Sequence, residues 1–284
     1  MAFEYSKPER RHVIIFIGGL MDGLNTVPYV PKLAAALPPS FSLVQTLITS
    51  SYSGWGHSSL QRDVDELSLC VAYFRNILPS GSNIILMGHS TGCQDSLFYL
   101  TGPGCESRQP IEGAILQAPV SDREAIEMFL PDTSRQAGLE TAQEMQKAGK
   151  ELEIMPSNLT SAFFPIPVTA YRWLSLLSPN HDGDDDLFSS DLEPEKLQQT
   201  FGSIPTRTKL CVLVGENDQY VPRFIDREAL VRKWMNVANR DRVVIDPQTS
   251  GVLLGANHNV SNNPTAETEL VTRVKMFIEQ FVQD

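Results

Sequence analysis

The sequence predicts an α/β fold: a mainly parallel sheet with helices on both faces and a helical cap inserted between its strands. Three observations carry that expectation. Short apolar runs bounded by glycine or turn residues alternate with longer amphipathic stretches, as strands joined by crossover helices do. One such run, 84–87 (IILM), passes through Gly88-His89-Ser90-Thr91-Gly92 straight into helical spacing, with Leu97, Phe98 and Leu100 on one side. The alternation then stops between Val120 and Thr208, a stretch too long for a structureless connection. One domain over 1–284 is therefore expected, with a cap at about 121–207.

The elements can be justified in order. HVIIFI (12–17) is a buried strand ending at Gly18-Gly19, and SLVQTLI (42–48) is the second. After SYSGWGHSS comes a helix of about 59–78, with Leu60, Val64, Leu67, Val71 and Phe74 on its inner face. Ser58, with Gln61 three residues on, suggests a capping box for it. NIILM (83–87), GAILQA (113–118) and KLCVLV (209–214) are further strands, VVI (243–245) a sixth, and TAETELVTRVKMFIEQFV a closing helix. Inside the cap segment, helices are expected around 122–150 and 193–200. HDGDDD (181–186) lacks calcium-loop spacing and reads as a solvated acidic loop.

The glycines around Ser90 form G-x-S-x-G, the strained strand-to-helix turn that holds a serine hydroxyl clear of a sheet. A Cβ at either glycine would collide with the neighbouring strand or helix. The following helix aims its N–H groups and positive dipole end at the same corner, where they suit an oxygen that becomes negative during reaction. A serine acts only with a base, a group that orients the base, and oxyanion donors. In this architecture they come from loops after strand ends.

Asp218, in GENDQYVP past the fifth strand, is the expected acid, with Glu216 as its rival in the same loop. Asp22 and Asp122 stand in the wrong chain order for a Ser…Asp…His set. Of the histidines, His12 begins a strand, His89 points off the elbow and His181 lies in the acidic loop. His57 follows a strand end and could enter the site. His258, in GVLLGANHNVSN, follows both Ser90 and Asp218 and is the expected base. The oxyanion donors should be the N–H of Thr91 and, from the loop IGGLMDG, that of Leu20 with Met21 beside it. Phe163, Phe164, Tyr171 and Trp173 are many aromatics for a solvated connection. The expectation is that they line the pocket under the cap, with filling of the cap's own core as the alternative.

Composition narrows the function. A net charge of −11 argues against nucleic acid or an anionic membrane as partner and weakly favours a neutral or cationic substrate. No apolar run approaches the roughly 18 residues of a spanning helix, and the N-terminus lacks the apolar stretch of a secretory signal. Cys70, Cys93, Cys105 and Cys211 show no C-x-x-C spacing, so free thiols and a cytoplasmic location are expected. Asn158-Leu159-Thr160 matches a glycosylation sequon only by pattern. IGGLMDG lacks the Walker lysine and the G-x-G-x-x-G spacing, so no nucleotide cofactor is expected, and no metal. Oligomeric state is not legible.

IGGLMDG, YSGWGHSS, GHSTG, GENDQYVP and GANHNVS, in that order, resemble the α/β-hydrolases across essentially the whole chain. GGLMDG with GHSTGCQD and GENDQYVP more narrowly resembles the fungal SidJ-type siderophore esterases and their uncharacterised relatives. The resemblance implies cytosolic hydrolysis of ester bonds in fusarinine-type hydroxamate siderophores, with iron part of the substrate. It also implies Ser90 as nucleophile, Asp218 as orienting acid and His258 as base. An acyltransferase or thioesterase with the same triad, or a hydrolase-fold protein that binds a ligand without turnover, are the alternatives.

Overall fold

A computed structural model describes residues 1–161 and 164–282. The seven strands among them are β1 (Ala2–Tyr5), β2 (His12–Ile17), β3 (Phe41–Thr46), β4 (Ile84–His89), β5 (Gly113–Gln117), β6 (Lys209–Gly215) and β7 (Gly251–Leu253). They form one sheet in the order β1-β3-β2-β4-β5-β6-β7, parallel except for β1, which pairs antiparallel with β3 from Ala2↔Thr46 to Tyr5↔Leu43. Every residue of β2, β3, β4 and β5 is buried, as a sheet covered on both faces requires. From β2 the chain moves to β3 on one side and then crosses back to β4 on the other. The C-terminal ends of β2 and β4 therefore meet where the strand order reverses, the usual ligand position in such sheets.

Side chains along β2 alternate between the two faces with the period of a strand. Ile14 and Phe16 join the core under α1 (Val30–Ala36) and α10 (Pro264–Glu279), with Leu33, Leu270 and Val274. Val13, Ile15 and Ile17 join the opposite core with α2 (Leu60–Ile77), α3 (Thr91–Thr101) and α9 (Arg227–Ala238). The segment 121–207 carries α4 (Asp122–Phe129), α5 (Asp132–Lys147), α6 (Ser157–Thr160), α7 (Ala170–Leu177) and α8 (Pro194–Gln199), and among the described residues it adds no strand to the sheet. Ile126, Leu139, Ala142, Trp173 and Leu177 make a third core there, which reaches Trp55. The end of the segment returns to the main core, where Phe201 stacks on Trp234 at 5.5 Å. No helix among the described residues is long and apolar enough to cross a membrane.

Several expectations need correction. Ser59, not Ser58, caps α2 by accepting from Arg62 N at 3.2 Å; Ser58 Oγ donates to Asp63 and Gln61 to Asp65 instead. The run 243–245 forms no strand in the sheet and makes a single bridge, Ile245 to Leu210. Its Val244 and Ile245 N–H groups donate to Asn239 Oδ1, each at 2.8 Å, so they are withdrawn from a ladder. The helical stretch 122–150 is two helices, parted at Leu130-Pro131. The acidic loop is not solvated throughout. Asp185 and Asp186 are buried, Asp185 paired with the buried Arg172 and Asp186 lying 3.4 Å from Arg123 and 2.7 Å from His181. Arginines inside the segment, invisible to a local reading, draw those carboxylates inward.

Candidate active site

The turn at Ser90 is the strained one expected: φ is 54° and ψ −124°, a conformation that non-glycine residues seldom adopt. The surroundings hold it there. Ser90 N–H donates to Gln117 O at 3.0 Å, and Ser90 O accepts from Cys93 N at 2.8 Å. A Cβ on Gly88 would lie 2.1 Å from Gly92 O, and one on Gly92 would lie 2.3 Å from Ile17 O. Both glycines are thus dictated by close backbone approach, the first by the helix and the second by β2.

The loop after β2 packs against this corner. A Cβ on Gly19 would sit 2.6 Å from Ser90 Cβ. Asp22 ties the loop down: its Oδ2 accepts from Gly19 N at 2.8 Å and its Oδ1 from Thr26 Oγ1 at 2.8 Å. Among the described residues, neither the Leu20 N–H nor the Thr91 N–H is paired with an acceptor. Thr91 is the first residue of α3, where an unpaired N–H and the helix dipole coincide.

Asp218 lies just past β6 and His258 just past β7. Asp218 Oδ2 is 2.8 Å from His258 Nδ1, and Oδ1 accepts from Tyr220 N at 2.9 Å. A carboxylate only accepts, so the proton sits on Nδ1 and leaves Nε2 as the basic nitrogen. The backbone of His258 is held from both sides, its N–H donating to Gln219 Oε1 at 3.2 Å and its carbonyl accepting from Gln117 Nε2 at 3.0 Å. The ring lies between His89 and Tyr220, with centroids 5.0 and 4.7 Å away. Burial, and then His258, lower the His89 pKa, which keeps that imidazole neutral near pH 7. Glu216, the rival acid, accepts instead from Gly255 N at 2.7 Å.

Ser90, Asp218 and His258 open together onto one pocket of about 1290 Å³. Leu20, Met21 and Phe164 also line it. Trp173 does not. It is fully buried in the third core, edge-on to Phe164 at 5.9 Å and so close to α5 that a Cβ on Gly138 would touch its ring at 2.7 Å. His57 is exposed at the end of the short turn Gly54–His57 and is not among the lining residues; Trp55 of the same turn is. Phe163 lies outside the described residues. Trp55, Phe129 and Tyr220 line the pocket without having been singled out; Asp22 and Asp122, set aside as candidate acids by chain order, line it too. Tyr220, two residues past Asp218, had a local signal in its place beside the acid; Phe129 had none. Among the described residues no group of three His, Cys, Asp or Glu could hold a metal ion.

Comparison with known proteins shows the family and the fold. Residues 1–279 match the family described as "Protein of unknown function (DUF1749)". The chain is 36% identical over 331 residues to "Fusarinine C esterase sidJ" of Aspergillus fumigatus, covering 100% of this chain and 94% of that protein. It superposes on the solved "Siderophore hydrolase EstB from Aspergillus fumigatus" with a TM-score of 0.86 at 36% identity, covering 100% of this chain and 95% of the other. A solved "Alpha/Beta hydrolase fold protein of unknown function", 18% identical, superposes with a TM-score of 0.63, covering 98% of this chain and 90% of the other, and shares the fold. With an α/β-hydrolase fold shared by these structures and the family model matching residues 1–279, this chain belongs to the DUF1749 family.

Proposed function

We propose that this protein is a serine esterase acting on hydroxamate siderophore esters of the fusarinine type, and that the segment 121–207 is the cap that shapes its pocket. The observation that carries the reading is the Asp218–His258 pair at 2.8 Å, which opens with the elbow serine onto a single pocket. His258 Nε2 takes the Ser90 proton as Oγ attacks the ester carbonyl, and Asp218 stabilises the imidazolium that forms. The Leu20 and Thr91 N–H groups receive the developing oxyanion. His258 then protonates the departing alkoxide, and the same imidazole activates the water that releases the acid from Ser90.

Two further features support the substrate class. At about 1290 Å³ the pocket exceeds the ~300–1,000 Å³ common for small ligands, so it suits a bulky, multi-ester molecule. The relatives named as a fusarinine C esterase and a siderophore hydrolase match nearly end to end. Iron belongs to the substrate in this reading, which needs no resident metal and places the reaction in the cytoplasm.

The test is Ser90→Ala, assayed on p-nitrophenyl acetate and on iron-loaded and iron-free fusarinine esters. Removing the nucleophile should lower kcat by on the order of 10⁴ to 10⁶ while the fold persists. A fluorophosphonate should label Ser90 in the native protein. A Ser90→Ala protein that keeps a tenth or more of its turnover, beyond any background of this kind, would sink the serine mechanism.

A further inference from the structure

Gln117, the last residue of β5, is fully buried and bonded to both halves of the proposed machinery. Its backbone carbonyl accepts the Ser90 N–H at 3.0 Å, inside the strained turn. Its side-chain Nε2 donates to the His258 carbonyl at 3.0 Å. Its Oε1 accepts from the Tyr29 hydroxyl at 2.9 Å and also meets His89 Nδ1. These partners fix the amide's orientation. Flipping it would set Oε1 against the His258 carbonyl, an acceptor facing an acceptor at a fully buried amide.

We infer that Gln117 is the positioning residue that sets the separation of Ser90 from His258, holding one through its backbone and the other through its side chain. The inference rests on the serine-esterase reading of the site. The need for such a tether is visible in the chain. His258 belongs to an irregular loop between a three-residue strand and α10, with Val260 and Asn262 at φ of 52° and 60°. Regular pairing cannot place it. Its other backbone tether, Gln219, is an exposed side chain whose ordering in water is weaker than that of a buried amide. Ser90, in contrast, follows directly on the buried strand β4 and bonds to the end of β5. A base held only by a loop drifts relative to a nucleophile fixed by strands, and displacement of about 1 Å can lower turnover by about 10²-fold.

The experiment compares Gln117→Leu, Gln117→Glu and Tyr29→Phe in the whole protein. Gln117→Leu removes every side-chain bond at similar size. Gln117→Glu keeps the acceptor towards Tyr29 and His89 and, assayed at a pH above the buried carboxyl's own titration, is ionised and cannot donate to His258. Tyr29→Phe takes one partner from Gln117 and leaves the His258 tether. Both Gln117 variants should lose roughly 10- to 100-fold in kcat on p-nitrophenyl acetate with KM little changed, while Tyr29→Phe stays near wild type. The second readout is the His258 Nδ1 proton in NMR spectra, which should sharpen in the wild type and broaden or shift in both Gln117 variants. Because Gln117→Glu preserves size and two acceptor bonds, it decides the matter should the leucine variant not fold. Wild-type kcat in a folded Gln117 variant, or an equal loss in Tyr29→Phe, overturns the inference. Should the wild type itself prove inactive, the proposed function fails, and an unshifted His258 proton in the Gln117 variants would then overturn the tether on its own.

Discussion

Replacing Trp173 with alanine probes the segment 121–207 where it is most tightly packed. The indole is fully buried, meets Phe164 edge-on at 5.9 Å, and lies flush against α5 at Gly138. Truncating a buried tryptophan to alanine costs about 3–5 kcal/mol, because transfer energy is lost and rigid neighbours close the cavity only in part. The lost edge-to-face pair lies within that figure. For a chain of this size such a loss lowers Tm by on the order of 10 °C. A calorimetric melt measures the shift, and limited proteolysis should show new cuts within 121–207 before the sheet unfolds. Function should follow indirectly. Trp173 backs Phe164, and Phe164 lines the pocket beside Trp55, 4.6 Å from its ring. A softened wall should raise KM for a bulky siderophore ester and leave p-nitrophenyl acetate nearly untouched, since the acetate makes none of those contacts. A Tm within about 2 °C of wild type would refute the packing argument. Equal loss on both substrates would show that the damage reaches the elbow.

Two other perturbations test the site. Gly19→Ala puts a methyl group 2.6 Å from Ser90 Cβ and 3.2 Å from its Oγ, so kcat should fall by about 10²-fold or more while Tm changes much less; a variant with native kcat would mean the loop can yield. Asp122 is raised to about 8, first by burial and then by Asp185, whereas unfolded it titrates near ~3.9. Between those values the folded protein holds a proton that the unfolded chain has released, so stability falls as pH rises from about 4 to about 8. Asn at 122 keeps an acceptor for Gln94 without that linkage. Asp122→Asn should therefore gain on the wild type across the window, ultimately by on the order of several kcal/mol. Parallel denaturant titrations at several pH values would read it, and a constant difference would contradict the shift.

What could be read in advance was whatever local chemistry dictates. Gly88 and Gly92 announce the elbow because backbone approach leaves no space for a Cβ at either. Chain order and strand ends singled out Asp218 and His258, which the structure brings within 2.8 Å of one another. Features decided by distant partners were hidden. β1 is exposed and held to β3 by backbone pairing, so AFEY shows no apolar run. The run 243–245 looks like a strand, but Asn239 takes its N–H groups. Composition placed aromatics in the segment 121–207 without saying which way they face; Phe164 turns to the pocket and Trp173 to the interior. The role of Gln117 depends on four elements meeting at one amide, and no spacing encodes that.

The buried Arg172 has a consequence for traffic. It pairs with Asp185 and shares a small cavity with Asp63 of α2 and Asp95 of α3, directly behind the Gly18-Gly19 turn. Moving α7 with Asp185 away from the sheet would take the Arg172 charge from beside Asp63, whose carboxyl burial raises to about 6 against the pull of Ser50 and Arg172, and a buried acid left without a cation is costly. With 121–207 as the proposed cap, a roof fastened in this way should not flap. Substrate must come through a standing aperture, rimmed by the exposed Met21, Met128, Phe129 and Tyr220, and turnover should be free of a gating step. A kcat indifferent to added sucrose is the expected sign; a kcat that falls in step with viscosity would mean that the roof moves.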